Sequence, residues 1–179
     1  GQADNAPTVV DIPHNWDDYY GYRQLTHGNL HGTAMYEKIF MLDNSQFPIS
    51  DSSFGKRYFL RFEGVGTYAT VTLNGKDFGR HPVGRTTLTL DVTEALKPGE
   101  NRLVVKAEHP MPWVCGGCSS EWGFSEGSQP LGIFRPVVLE ATDAIRIEPF
   151  GVHIWNDDKA GTVFVETEVK NYGKTAETV

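Results

Sequence analysis

The sequence predicts an all-β fold, a sandwich or a barrel, and two observations support this class. The 19 glycines and 10 prolines among 179 residues leave little room for long helices. Between these breaks, short runs alternate apolar and polar side chains with a period of two, which is the pattern of a half-buried strand. Regular short strands separated by turn signals are typical of β-sandwiches and barrels.

The predicted strands follow in order along the chain, and their breaks carry suitable turn residues. Asn74 and Gly75 suit a tight hairpin turn, because both tolerate positive φ. Asp91 and Glu94 resemble a weak capping box and predict a single turn of helix. The strands are predicted within 33–42, 56–65, 67–75, 86–92, 101–109, 132–141, 145–155 and 162–170.

A domain boundary is predicted near Thr142–Ala144, where a polar step separates two strand patterns. Only about two strands follow, and an isolated hairpin is marginal in water. We therefore expect residues 1–143 to form one domain and residues 144–179 to begin a second, incomplete one.

The charge of the chain argues against several partners. The formal net charge is −7 and the pI is near 5.3, whereas a nucleic-acid partner requires clustered Lys and Arg. No window approaches the roughly 18 apolar residues of a membrane span. We expect no nucleic-acid partner and no membrane span.

Four stretches together resemble family 2 glycoside hydrolases. They are Val10–Asp18, the strand HGTAMYEKIF, the long block Arg57–Val105, and GIFRPVVLEATDAIRIEPFGVHI. The resemblance implies an N-terminal, galactose-binding-like jelly roll followed by the first strands of a truncated immunoglobulin-like domain. It also implies that the segment around His14 and Trp16 crosses the sandwich, with Trp16 buried and His14 hydrogen-bonded.

The resemblance implies a function as well. Members of the family carry two catalytic glutamates on a (β/α)₈ barrel, and the acid/base Glu follows an Asn. Retaining hydrolysis requires two carboxylates about 5–5.5 Å apart, but this sequence contains no Asn-Glu dipeptide and no barrel pattern. We expect a non-catalytic domain of a glycosidase that acts on β-linked glycans, with no catalytic residue and no cofactor here. A stand-alone carbohydrate-binding module or lectin is the alternative.

The motif Gly132-Ile133-Phe134-Arg135 matches the family, but the next residue does not. Galactosidases of the family have an Asp there, which contacts the sugar, and this chain has Pro136. Proline offers neither a side-chain acceptor nor a backbone N–H. Arg135 is a candidate pocket residue. Alternatively, it holds strand ends together through an ion pair with a carboxylate.

The segment from His109 to Pro130 is long for a connection between two strands, and long connections in compact domains are often functional. Aromatic rings can stack on a sugar while carboxylates and amides accept from its hydroxyls. The alternative is that the aromatic residues only cap one end of the sandwich. The candidate sugar-binding residues are Trp113, Glu121, Trp122, Glu126 and Gln129.

The same segment contains the only two cysteines, Cys115 and Cys118, with a Gly-Gly pair between them. A structural zinc site usually has four N or S ligands, and a redox dithiol usually lies in a thioredoxin-like context. We interpret the pair as a disulfide that closes a short loop, with two reduced thiols as the alternative, and we expect no metal. Export to the periplasm or the cell exterior would permit the disulfide.

Overall fold

The computed structural model describes residues 7–16, 32–43, 45, 55–84, 86–110, 131–173 and 176. All regular elements in these ranges are strands, so the predicted all-β class is confirmed. They are β1 (Gly32–Leu42), β2 (Arg57–Phe62), β3 (Val65–Leu73), β4 (Lys76–Gly84), β5 (Leu88–Asp91), β6 (Gly99–His109), β7 (Val137–Thr142), β8 (Ile145–Asp157) and β9 (Thr162–Asn171).

The first seven strands form the two sheets of a sandwich. One sheet has the order β1-β6-β3-β4 and the other has the order β5-β2-β7, with every neighbouring pair antiparallel. Strands β8 and β9 form a separate antiparallel hairpin. In this order β1 lies antiparallel to β6. The start of β1 and the end of β6 are therefore at the same end of the sheet.

The core lies between the two sheets and follows the predicted alternation. Tyr58, Leu60 and Phe62 of β2 are all buried, as are Val71 and Leu73 of β3. Because side chains alternate across a strand, these residues point to one face and their neighbours point to the other. Trp16 packs against this core but is only partly buried, whereas the resemblance implied a buried ring.

The turn between β3 and β4 has the predicted chemistry. Asn74 and Gly75 both have positive φ, 51° and 85°. The strand that follows was not predicted, because Gly79 and Pro82 interrupt its alternation. Both residues are nevertheless within β4, where Pro82 pairs with Tyr68.

The predicted turn of helix is a single hydrogen-bonded turn after β5. The backbone N–H groups of Ala95 and Leu96 both donate to the carbonyl of Val92, at 2.9 and 3.1 Å. No helix is present among the described residues. The chain reverses here in one turn and continues directly into β6.

Asp91 caps this turn, but the second half of the predicted capping box is absent. The Asp91 carboxylate accepts from the backbone N–H of Thr93 at 3.1 Å and from its hydroxyl at 2.6 Å. Glu94 pairs instead with the ammonium group of Lys76 at 3.3 Å. Arg57 also forms an ion pair with Asp91, so this carboxylate joins β2 to the turn.

We predict that Asp91 makes stability depend on pH. Burial acts to raise the pKa of Asp91, but hydrogen bonds from Thr93 and Arg57 outweigh it and hold the pKa below its ordinary value of 3.8. The stabilisation is therefore fully present above the unfolded-state pKa and is lost as the pH falls through the folded-state pKa. Urea unfolding between pH 5 and 2 measures this effect. The free energy of unfolding should fall less steeply with decreasing pH in Asp91→Asn than in the unmodified chain.

Asp143→Asn is the matched control, because Asp143 is a largely exposed carboxylate that pairs with Lys56. This variant should keep most of the acid-side slope of the unmodified chain. An Asp91→Asn variant whose slope equals that of the unmodified chain would show that other carboxylates are responsible.

The base of the β8–β9 hairpin contacts the outer face of the β5-β2-β7 sheet through Arg146 and Tyr172. Phe59 points away from the core but is only 1% exposed, because Arg146 and Tyr172 cover it. The Arg146 guanidinium lies 3.8 Å from the centre of the Phe59 ring, and the Tyr172 ring meets Phe59 edge-on at 5.1 Å. The break between the strands falls between Thr142 and Ile145, while the division into two domains stays a prediction.

Candidate functional site

Most of the candidate sugar-binding residues lie outside the described residues. Of the candidates, only Arg135 is in a described range. The roles of the others, and the pairing of the two cysteines, stay predictions. They are Trp113, Cys115, Cys118, Glu121, Trp122, Glu126 and Gln129.

The described residues do show where segment 111–130 begins and ends. It leaves after His109, which pairs with Gly32 at the end of the β1–β6 ladder. It returns at Leu131, whose backbone N–H donates to the side-chain oxygen of Asn15 at 3.3 Å. Both attachment points therefore lie at one end of the sandwich, which we call the loop end.

Residues 17–31 attach at the same loop end. This segment follows Trp16 and precedes Gly32, the partner of His109. Its sequence contains three tyrosines and two histidines. Segments 17–31 and 111–130 are therefore attached to neighbouring points of the sandwich.

His109 and Thr67 close one side of the loop end. The His109 side chain is buried, with its Nδ1 2.8 Å from the hydroxyl of Thr67. Next to them, Gly66 donates its backbone N–H to the carbonyl of Gly132 at 3.0 Å. These contacts join the start of β3, the end of β6 and the motif before β7.

His14 and Tyr36 close the other side. The His14 Nδ1 and the Tyr36 hydroxyl lie 2.8 Å apart, and the His14 backbone N–H donates to the Ile133 carbonyl at 2.7 Å. Burial raises the pKa of Tyr36, and a hydrogen bond with the backbone of Ile133 partly opposes the rise. His14 is hydrogen-bonded, as the resemblance implies, and the contact fixes the start of the chain to the loop end.

Gly132 is an essential part of this arrangement. Its φ is +79°, and a Cβ built there would lie 2.2 Å from the Tyr36 hydroxyl. From the sequence, Gly132 was recognised only as part of the family motif, and its contact with Tyr36 was not predicted. A glycine after a long connection and before a strand is a signal for such a close approach.

Arg135 is exposed at the loop end. Its Cδ and the Phe134 ring both lie against Gly64, at 3.2 and 2.6 Å from the position that a Gly64 Cβ would occupy. Glu63, next to Gly64, pairs with Arg61. Both predicted roles of Arg135, a contact with the sugar and an ion pair that holds strand ends together, stay predictions.

Two features are absent from the described residues. No group of three or more His, Cys, Asp or Glu side chains there is arranged to hold a metal ion. No helix in the same residues is long and apolar enough to cross a membrane.

Comparison with known proteins identifies the kind of domain. Residues 27–114 match the family described as "Glycosyl hydrolase 2 galactose-binding domain-like". A β-galactosidase from Bacteroides ovatus is 29% identical over 100% of this chain and 20% of its own length. A β-glucuronidase from Formosa agariphila is 27% identical over 91% of this chain and 18% of its own length.

Solved structures agree with these relatives. A β-glucuronidase from an uncultured Clostridium species superposes with a TM-score of 0.63 at 30% identity, over 88% of this chain and 27% of that chain. A β-glycosidase from Bacteroides vulgatus gives a TM-score of 0.67 at 25% identity, over 94% of this chain and 21% of that chain.

The fold and the comparisons define a galactose-binding-like β-sandwich domain of the glycosyl hydrolase 2 type. The chain belongs to family 2 of the glycosyl hydrolases. It spans about a fifth of the length of the curated relatives, so the activity of the whole protein is a matter for proposal.

Proposed function

We propose that the chain is the non-catalytic sugar-binding domain of a retaining glycosidase that acts on β-linked glycans. The coverage of about a fifth of longer β-galactosidases and β-glucuronidases supports this proposal most directly. The domain would brace the catalytic barrel and form one wall of its pocket. Carbohydrate is the proposed ligand, and export to the periplasm or the cell exterior is part of the same proposal.

The proposed wall is the loop end with segment 111–130. Three contacts support it, because they fix the described residues on either side of this segment: the pairing of Gly32 with His109, the contact of Leu131 with Asn15, and the contact of His14 with Tyr36. A fixed attachment reduces the entropy lost when a loop orders around a ligand. Trp113, Trp122, Glu121, Glu126 and Gln129 would then contact the sugar, with Arg135 beside them.

The activity is tested by assaying the full polypeptide against nitrophenyl β-galactosides, β-glucuronides and β-mannosides. Hydrolysis of one of them with retention of configuration is expected. No hydrolysis of any of the three would reject the glycosidase assignment. The alternative, a stand-alone module, predicts instead that the chain of 179 residues changes its tryptophan fluorescence on titration with a glycan.

We predict that Trp122→Ala lowers kcat/KM of the full enzyme by about tenfold. A ring stacked on a sugar contributes on the order of 1.4 kcal/mol, which corresponds to that factor. Trp122→Phe is the matched control, because it keeps an aromatic face and should retain most of the activity. Unchanged kinetics in both variants would leave the loop as a structural cap only.

We also propose that residues 144–179 begin an immunoglobulin-like domain. The alternation in β8 and β9 places six aliphatic residues on one face of the hairpin, each at least 44% exposed. Two strands cannot bury such a face by themselves, whereas the second sheet of a sandwich would cover it. The six residues are Ile147, Val152, Ile154, Val163, Val165 and Val169.

A further inference from the structure

A groove of about 370 Å³ lies between the outer face of the β5-β2-β7 sheet and the base of the β8–β9 hairpin. The contacts that define the loop end involve none of its residues. Ile147 belongs to the apolar face that the immunoglobulin-like domain proposed above would bury, so a ligand would contact the others. Seven residues of the described part of the chain line the groove: Arg61, Glu140, Thr142, Arg146, Ile147, Pro149 and Phe150.

Arg146 is the residue of the groove with incomplete hydrogen bonding. Its side chain is only 8% exposed, and its guanidinium lies 3.8 Å from the centre of the Phe59 ring. The Nη2 atom lies 3.4 Å from a carboxylate oxygen of Glu148, but the buried Nε–H has no acceptor among the described residues. A buried donor without an acceptor is rare and costly. Its presence in a residue that lines a groove points to an acceptor supplied by a ligand.

Glu140 offers the complementary group. Its Oε1 accepts from the Arg61 Nε at 2.6 Å, whereas its Oε2 lies 4.0 Å from the Arg146 Nη1, which is too far for a hydrogen bond. A hydroxyl group between these two atoms would accept from the guanidinium and donate to the carboxylate. The Thr142 hydroxyl donates to the Asp143 carbonyl at 3.0 Å, so it remains an acceptor for a further hydroxyl group.

The charges of the groove favour a neutral ligand that carries hydroxyl groups. Arg61 forms ion pairs with Glu63 and Glu140, and Arg146 forms one with Glu148, so no unpaired positive charge is left for an anion. A carbonyl group only accepts a hydrogen bond, whereas a hydroxyl group both accepts and donates. Because the groove has a donor and an acceptor without partners, a polyhydroxyl compound fits it better than a peptide.

Phe150 adds an aromatic surface to these polar groups. It is 79% exposed, and its φ of +63° lies in the left-handed region, which disfavours a residue with a Cβ. The register of β8 against β9 shifts between Ile147 and Val152, and such irregularities redirect side chains. Backbone strain of this kind is typical of ligand contacts. An exposed ring beside polar groups offers a flat face on which the C–H groups of a sugar can stack.

We propose that this groove is a second carbohydrate site, which binds one neutral pyranose unit with its apolar face on Phe150. One sugar hydroxyl accepts from the Arg146 Nε, and another lies between the Arg146 Nη1 and Glu140. A third donates to the hydroxyl of Thr142. The site does not depend on the proposed function, because the sugar-binding wall proposed there is formed at the loop end. It would hold a glycan at a separate point of the same chain.

Fluorine NMR of the full polypeptide tests this site. Phe150 is replaced by 4-trifluoromethylphenylalanine, and a control protein carries the same label at Phe164, which stacks on Trp155 and does not line the groove. The probes are the methyl β-glycosides of galactose, glucose and mannose. At least one should shift the resonance at position 150 with half-saturation on the order of 1–10 mM. The resonance at position 164 should not move, and sodium acetate, the anion control, should shift neither.

Arg146→Lys tests the Nε–H directly, because lysine keeps the charge but has no donor at this position. The half-saturating concentration should rise by about tenfold. Arg57→Lys is the matched control: the Arg57 Nε is also buried without a partner among the described residues, but Arg57 does not line the groove, so binding should be unchanged. Thr142→Val provides a second test that leaves the contacts of Arg146 intact, and it should weaken binding about threefold.

Four results would overturn the carbohydrate site. They are no shift at position 150 with any of the three glycosides; a shift with acetate; a shift that Arg146→Lys and Thr142→Val both leave unchanged; and a shift that is lost in Trp122→Ala, which would assign the binding to the loop end. Glycosidase activity is measured on the same preparation. Activity without the shift rejects this site alone, and the shift without activity rejects the proposed function alone.

Discussion

Gly132→Ala is expected to destabilise the sandwich by about 3–4 kcal/mol, a large fraction of the 5–15 kcal/mol typical of a domain. Two costs add at this position. The φ of Gly132 is +79°, a conformation that costs an L-residue roughly 1–2 kcal/mol. In addition, the new Cβ would lie 2.2 Å from the Tyr36 hydroxyl and 3.0 Å from the His14 carbonyl oxygen.

Neither neighbour of Gly132 can move without loss. The Tyr36 hydroxyl is held by His14 at 2.8 Å, and the carbonyl of His14 belongs to a backbone that hydrogen-bonds to Ile133. Relief of the overlap therefore breaks contacts that fix the loop end. Urea unfolding of the purified chain, followed by far-UV circular dichroism, measures the change in free energy of unfolding.

Two further variants separate the two costs of Gly132→Ala. Gly75 has a similar φ of +85° with nothing within 4 Å of its Cβ position, so Gly75→Ala should show only the conformational cost, roughly 1–2 kcal/mol. Combining Gly132→Ala with Tyr36→Phe should cost less than the sum of the two single changes, because the clashing oxygen is gone. Additive costs would show that the overlap with Tyr36 contributes nothing.

The sequence predicts those parts of the fold that depend on local interactions. The strands with clean alternation, such as 67–75 and 101–109, were predicted because one face of each must be buried. Strand β4 was not, because Gly79 and Pro82 break the pattern, and its place depends on pairing with β3. Of the capping box predicted at Asp91, only one half forms. Asp91 accepts from the backbone N–H of Thr93, whereas Glu94 forms an ion pair with Lys76, which is distant in sequence.

The same distinction between local and distant interactions applies to the candidate site. The family match at Gly132 and Arg135 could be read directly, and so could the hydrogen bond of His14, whereas Trp16, which was expected to be buried, is only partly buried. The reason for the glycine could not, because it depends on Tyr36, which is 96 residues away in sequence and reaches Gly132 only through the β1–β6 pairing. Likewise, the burial of Phe59 depends on a hairpin that begins 86 residues later.

Asn101→Ala is expected to cost about 3–4 kcal/mol at the opposite end of the sandwich. Asn101 is fully buried, and its amide makes four hydrogen bonds. Its oxygen accepts from the Lys97 backbone N–H at 3.1 Å and from the Asn74 side chain at 2.7 Å. Its nitrogen donates to the carbonyls of Lys97 and Gly99, at 2.7 and 3.0 Å.

The cost of Asn101→Ala arises from the partners that remain. Alanine would leave one backbone N–H and two carbonyls without this amide, and each such group that is shielded from water costs about 1–3 kcal/mol. Asn74 would keep its bond to the Ala95 carbonyl at 2.8 Å, so part of the turn would persist. The exposed Asn156 serves as the control, because Asn156→Ala should change stability by no more than about 0.5 kcal/mol.

Asn101→Asp tests the direction of these hydrogen bonds through pH. The introduced carboxyl keeps the size of the amide but turns an oxygen toward the carbonyls of Lys97 and Gly99, which raises its folded-state pKa above the unfolded value. The penalty should therefore be largest at neutral pH and shrink as the pH falls through that raised pKa, when a proton restores one donor. Urea unfolding at pH 7 and pH 4 would show it, and a penalty that does not change with pH would mean that the amide nitrogen does not donate to these carbonyls.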